Sequence, residues 1–147
     1  MTTTTTRSTT RSTRTATKKT REPTTSPATT HQTRVRNAIL LPSYDSKETP
    51  ATAAIDVGIV GDPDAGREGC VWLDFNGEHT AAQWPSGYQA TFAPLAIYNE
   101  KGQVVWRAGQ RLDIGGGESG TRIDRVPPEC RDGSGDAFWI RGPLEPQ

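Results

Sequence analysis

Between Ile55 and Arg141 the apolar residues fall in short runs, separated by Gly, Pro, Asn and Asp at intervals of about 8 to 12 residues, the punctuation of β-sandwiches and small barrels. Strands are predicted at Ile55 to Val60, Cys70 to Phe75, Glu78 to Trp84, Gln89 to Ala93, Leu95 to Tyr98, Gln103 to Arg107, Gln110 to Ile114 and Ala137 to Arg141. No segment keeps a helical period for three turns, so the pattern reads as all-β.

Alternation within those runs identifies the inner face. Val71, Leu73 and Phe75 point one way, as do Leu112 with Ile114 and Phe138 with Ile140, and these are the predicted core. Trp72 and Trp139 fall on the opposite faces of their strands. A large apolar side chain off the core face either packs under a loop or meets a ligand.

The turns order the strands. Asn76-Gly77 suits a type I′ turn, which needs positive φ at both central residues. Further hairpins are expected at Asn99-Glu100-Lys101-Gly102 and at Ala108-Gly109. Three successive hairpins make a meander. At this size the sheet is expected to curl into a small closed or partly open antiparallel barrel, which protects its edges. In Trp84-Pro85-Ser86-Gly87-Tyr88, Pro and Gly at the first and third turn positions bring two aromatic rings together. That makes either an aromatic clamp at the rim or a packed corner.

Composition changes the picture at the N-terminus. Residues 1–36 are a low-complexity, Thr-rich segment with almost no large apolar side chain, unable to offset the entropy of ordering it, and are read as a disordered basic tail. Residues 37–54 are transitional, with Ala38-Ile39-Leu40-Leu41 as a short strand or helical turn; residues 55–141 form the barrel domain and 142–147 a C-terminal tail. A domain of about 90 residues buries only about two-thirds of its unfolded surface, so a covalent staple matters.

The formal charge of zero conceals a split: residues 1–36 carry eight Lys and Arg against Glu22, a net of +7, leaving −7 for the remainder. The acidic domain is a poor binder of phosphate backbones, and nucleic acid is an expected partner only through the tail. Arg7, Arg11, Arg14, Lys18, Lys19 and Arg21 suit phosphates, but no aromatic is interleaved to stack on bases. An organelle leader and translation upstream of the true start are the other readings of this segment. No run is long enough for a membrane span, and no secretory signal is legible in the sequence as it stands.

Candidate chemistry is sparse. Cys70 and Cys130, 60 positions apart, are the two cysteines. A disulfide between them would pin the last strand to the barrel wall; two buried free thiols are the alternative. His31 and His79 lack zinc-ligand spacing, so no metal is expected. Gly115-Gly116-Gly117-Glu118-Ser119-Gly120 matches G-x-G-x-x-G formally. The segment then runs into Pro127-Pro128 with no helix to face a pyrophosphate. It is read as a flexible loop, with no cofactor. Asp62-Pro63-Asp64 is read as a turn and not a calcium loop. The chain offers no nucleophile, base and acid set, and is not expected to be an enzyme.

Gly69-Cys70-Val71-Trp72-Leu73, Trp84-Pro85-Ser86-Gly87-Tyr88, Gly102 through Gly109, Gly115-Gly116-Gly117 and Cys130 before Phe138-Trp139 together resemble a group of small actinobacterial proteins, often described as exported proteins or lipoproteins. The resemblance covers about residues 55–141, and its motifs are structural ones. It implies an OB-like barrel, a cysteine pair and export to the cell envelope or beyond, and it supplies no ligand. The chain departs from that group at its N-terminus, where a signal peptide or lipobox is expected. The leading expectation is a non-catalytic, extracytoplasmic barrel binding a small ligand, glycan or protein, with Trp72, Trp84, Tyr88 and Trp139 as candidate ligand contacts. The alternative is a nucleic-acid-associated protein combining an OB-like barrel with the basic tail.

Overall fold

The computed structural model describes residues 32–44, 53–118, 123–133 and 135–147. Among these described residues nine strands follow in chain order: β1 (Ile39–Leu40), β2 (Ala53–Asp62), β3 (Cys70–Phe75), β4 (Glu78–Gln83), β5 (Gln89–Phe92), β6 (Leu95–Tyr98), β7 (Val104–Arg107), β8 (Leu112–Glu118) and β9 (Phe138–Ile140). Single 3-10 turns lie at Ile123–Arg125 and Pro128–Cys130.

The fold is all-β, with a closed barrel in the order β2-β3-β4-β9-β8 and a separate sheet in the order β1-β5-β6-β7. Closure depends on β2. Its second half, Gly58 to Asp62, pairs with β3, and its first half, Ala53 to Val57, pairs with β8. The barrel is antiparallel except at β4 and β9, which run parallel with Ala82 opposite Phe138 and Gln83 opposite Trp139. Numbered within the barrel, the strands follow the order 1-2-3-5-4 with the third and fifth parallel, the arrangement of an OB-like Greek-key barrel.

The three predicted hairpins do not form a single meander. Asn76-Gly77 joins β3 to β4 with positive φ at both residues. Asn99 joins β6 to β7, its Oδ1 accepting from the backbone N–H groups of Lys101 and Gln103. Ala108-Gly109, in contrast, carries the chain from one sheet to the other, because β7 pairs with β6 while β8 pairs with β2 and β9. The meander β5-β6-β7 therefore packs beside the barrel instead of closing it. Gly115 to Gly117, read as a flexible loop, lie within β8. Gly116 and Gly117 face Ile140 and Trp139 of β9, and Gly115 faces Ala54 of β2. An all-Gly stretch carries no side-chain periodicity, so its strand character is invisible to patterning.

One apolar core serves both sheets. Val57, Leu73, Ile114 and Ile140 from the barrel join Ala90, Ile97, Val105 and Trp106 from the second sheet, with Phe75 and Leu112 half-buried against them. The alternation-derived inner face is thus the core face. A smaller cluster of Cys70, Ala81, Val126, Cys130 and Ala137 lies outside the barrel wall, with Trp72 packed on it.

The described structure starts at Gln32, before the composition break at residue 36. The Gln32 side chain donates to Gly87 O, Thr33 N donates to Glu100 O, and Val35 N donates to the Gln89 side chain, which returns a bond to Thr33 O. Residues 32–44 thus form a strap. It contributes β1 to the second sheet and then crosses to the barrel, where Ser43 bridges Trp84 in parallel. The predicted tail before residue 32, and residues 45–52 of the predicted linker, lie outside the described residues.

Candidate functional site

Three segments converge on one face of the barrel. The loop from β2 to β3 turns on Asp62, whose carboxylate accepts from Asp64 N at 2.8 Å, as an Asx turn does. It delivers Arg67, Glu68 and Gly69 to the mouth of β3. The connection from β8 to β9 returns through Arg125, Val126, Pro127 and Pro128 and reaches Cys130. The strap supplies Ile39 to Ser43. Between them lies an open groove of about 840 Å³, bordered also by Val71 and Ala82. In OB-type barrels the loops after the first and fourth strands flank the binding face, and the corresponding loops here form two walls of the groove.

The walls are fixed. A disulfide joins Cys70, the first residue of β3, to Cys130, with the Cα atoms 5.4 Å apart, inside the range such bridges prefer. Cys130 ends the second 3-10 turn, so the bridge ties the β8–β9 connection to the barrel wall. Trp72 Nε1 donates to Cys130 O at 2.7 Å. Arg131 Nε donates to Val126 O at 2.9 Å, closing the connection on itself. Arg125 Nη1 reaches Ser43 O at 3.3 Å and links this wall to the strap.

The floor is apolar and the lips are charged. Leu41 and Val126 are buried at the base, whereas Leu40 is the one large apolar side chain among the described residues that is exposed, at 61%. Arg67 and Glu68 sit on one lip and Arg125 and Glu129 on the other. Glu129 is turned towards the β2–β3 loop, lying against Gly66 and accepting from Arg67 N at 3.4 Å.

The four aromatic residues singled out as ligand contacts are not brought together. Trp84 and Tyr88 stack with ring centroids 6.4 Å apart, both inside the core. The turn between them closes through Tyr88 N to Pro85 O, with Gly87 at φ +85°, so this stretch is the packed corner and its rings show no face to solvent. Trp139 is buried, edge-on to Tyr44 of the strap at 5.8 Å. Trp72 is half-buried beneath the β8–β9 connection, with exposed His79 stacked on it at 5.9 Å. The groove residues escaped the sequence reading because its walls are loops and a strap without periodicity. The exposed Leu40 beside Pro42 was the one local signal.

No family model matches the chain, nor does any curated protein or solved structure to a significant degree. The groove must speak from its own chemistry. Its described lining has no histidine, and its one hydroxyl side chain is Ser43. Among the described residues no group of three or more His, Cys, Asp or Glu side chains is placed to hold a metal ion. No helix there is long and apolar enough to cross a membrane.

Proposed function

We propose that this chain is a non-catalytic binding module that seats an apolar ligand in the groove between the strap, the β2–β3 loop and the β8–β9 connection. The observation that carries the reading is the groove itself. It has an apolar floor, a few charged groups at its lips, and a volume of about 840 Å³, within the range of small-ligand sites. Its walls are cross-linked to each other before any ligand arrives, which lowers the ordering cost of binding. A proton-transfer or nucleophilic role would need convergent base and nucleophile, and the described lining offers Ser43 without a histidine partner.

One feature argues for work outside the cytoplasm: Cys70 and Cys130 form a disulfide, and disulfides persist in oxidising compartments. The nucleic-acid reading gains little from the domain. Single strands are held by a basic groove with exposed aromatic faces, whereas the chain after residue 36 is acidic and Trp84, Tyr88, Trp106 and Trp139 are buried.

The test is titration of the oxidised, full-length chain with the apolar dye 1-anilinonaphthalene-8-sulfonate. Enhanced, blue-shifted emission with saturable binding is expected, weakened at least tenfold by Leu40→Asp or Pro128→Glu. Both positions are exposed, so the fold should tolerate the changes. Absence of binding, or equal binding by both variants, would refute the proposal.

A further inference from the structure

The ligand class can be narrowed from the backbone that borders the groove. This step rests on the binding role proposed above. We infer that the groove takes an extended polypeptide segment, which adds as a strand to the free edge of β1.

Five consecutive residues, Ile39 to Ser43, border the groove. Side chains of an extended chain alternate between faces, so a groove bordered by all of them runs along the edge of the strand and not over one face. β1 is the outermost strand of its sheet, with β5 on its other side.

The register says which backbone groups are free. Ile39 faces Ala90 and Leu40 faces Gln89, which continues to Leu41 opposite Tyr88, where Leu41 N donates to Tyr88 O at 3.0 Å. Hydrogen-bonded and non-bonded pairs alternate along an antiparallel ladder. Leu40 and Gln89 therefore form a non-bonded pair, and the N–H and C=O of Leu40 point away from β5 towards the groove. No backbone bond to either group is made by a described residue.

Edge strands are ordinarily protected by charge, proline or a covering loop. Here Leu40 is exposed, and the free edge is limited to that one residue, because beyond it Pro42 O accepts from Trp84 N at 2.7 Å and Tyr44 N donates to Trp84 O at 3.3 Å. The facing wall presents Pro127 and Pro128. Pro127, at φ −50° and ψ 138°, is extended, and prolines offer apolar surface without a competing N–H. A segment lying between these walls would bond to Leu40 on one side and pack side chains on the prolines on the other. This is strand addition, in which main-chain bonds give affinity and side-chain pockets give selectivity.

Charge selects the flanking residue. The domain is acidic after residue 36, with a net of −7, yet Arg125 stands on one lip of the groove and Arg67, with Glu68 next to it, on the other. Glu129 is engaged with the β2–β3 loop. An acidic side chain next to the apolar one in the incoming segment complements the two guanidinium groups.

The test selects peptides from a random dodecapeptide display library on the oxidised, full-length chain, then titrates synthetic copies into isotope-labelled protein. Selected sequences should pair an apolar residue with an acidic one. N-methylation of the peptide amide that meets Leu40 O should weaken binding at least tenfold, with changes under threefold at the adjacent amides. The Leu40 amide should become protected from hydrogen exchange, and the Arg67→Glu, Arg125→Glu double variant should lose the acidic preference. Equal tolerance of N-methylation at every position would overturn strand addition, as would failure to select any peptide by a protein that still binds the dye. If the dye fails as well, the binding role falls with it.

Discussion

The indole N–H of Trp72 is bonded to the carbonyl of Cys130 at 2.7 Å, two residues along β3 from Cys70, whose disulfide holds the same residue. Trp72 lies on the outer face of β3, so its ring and the disulfide form a double attachment for the β8–β9 connection. Trp72→Phe keeps an aromatic ring, though a smaller one, and removes the donor. It should cost about 1 to 3 kcal/mol, the penalty for leaving a largely buried carbonyl unpaired. Urea unfolding of the oxidised variant gives the number, and hydrogen exchange should rise first across residues 123–133. An unchanged midpoint would mean that solvent replaces the indole freely.

Replacing both cysteines by Ala should destabilise the domain by about 4 kcal/mol on the loop-entropy estimate for a 60-residue separation. The measurement is equilibrium unfolding of the double variant beside the oxidised chain. Dye binding should weaken in step, since Cys70 and Cys130 both border the groove. A loss below about 1 kcal/mol would show that Trp72 and the buried Val126 hold the connection without help.

The strand content and inner face were legible because Val71-Trp72-Leu73-Asp74-Phe75 and Leu112-Asp113-Ile114 alternate cleanly, and because Asn76-Gly77 has few other uses. The partition into two sheets was not. Ala108-Gly109 looks like any hairpin turn, and nothing local records that β8 prefers β2 to its sequence neighbour β7. Strand pairing of that range is decided by closure of the barrel. Trp84 and Tyr88 were legible as a pair, and the packed corner was one of the two readings of it; the sequence did not decide between that corner and a clamp at the rim. Their burial depends on Leu41 from the strap and Leu144 from the C-terminus, far from them in sequence. The groove was least legible, being assembled from three segments without periodicity.

Gly116 offers a direct check on the reassigned glycine run. It sits in β8 opposite Ile140 at φ +158°, and a Cβ there would overlap the backbone oxygen of Trp139 and the ring of Phe138. Backbone cannot swing aside as a side chain can. Gly116→Ala should therefore cost about 3 kcal/mol or more, at the upper end of overpacking effects. Gly109→Ala, in the turn where a Cβ would meet nothing, should cost less despite its positive φ. Were Gly115 to Gly117 a loose loop, the 116 variant would be the milder of the two. Thermal unfolding of both decides between them.

Tyr88 predicts the alkaline limit of the fold. Its ring is buried and its oxygen accepts the Leu144 N–H at 2.9 Å. Burial pushes the phenol above its usual 10.0, outweighing the opposing pull of the Leu144 N–H, and Glu100 and Tyr44 push the same way. Below pH 10 the phenol is neutral in folded and unfolded chains alike, and the contribution of Tyr88 is fully present. Above 10 the unfolded chain releases its proton first, so stability falls, by about 1.4 kcal/mol per pH unit at most, until the folded phenol also ionises. Tyr88→Phe should flatten that alkaline limb while costing about 1 kcal/mol near neutrality, where the Leu144 N–H loses its acceptor. Urea unfolding from about pH 8 to 11 on both proteins supplies the two slopes. Parallel slopes would assign the alkaline loss to other groups and leave Tyr88 as packing alone.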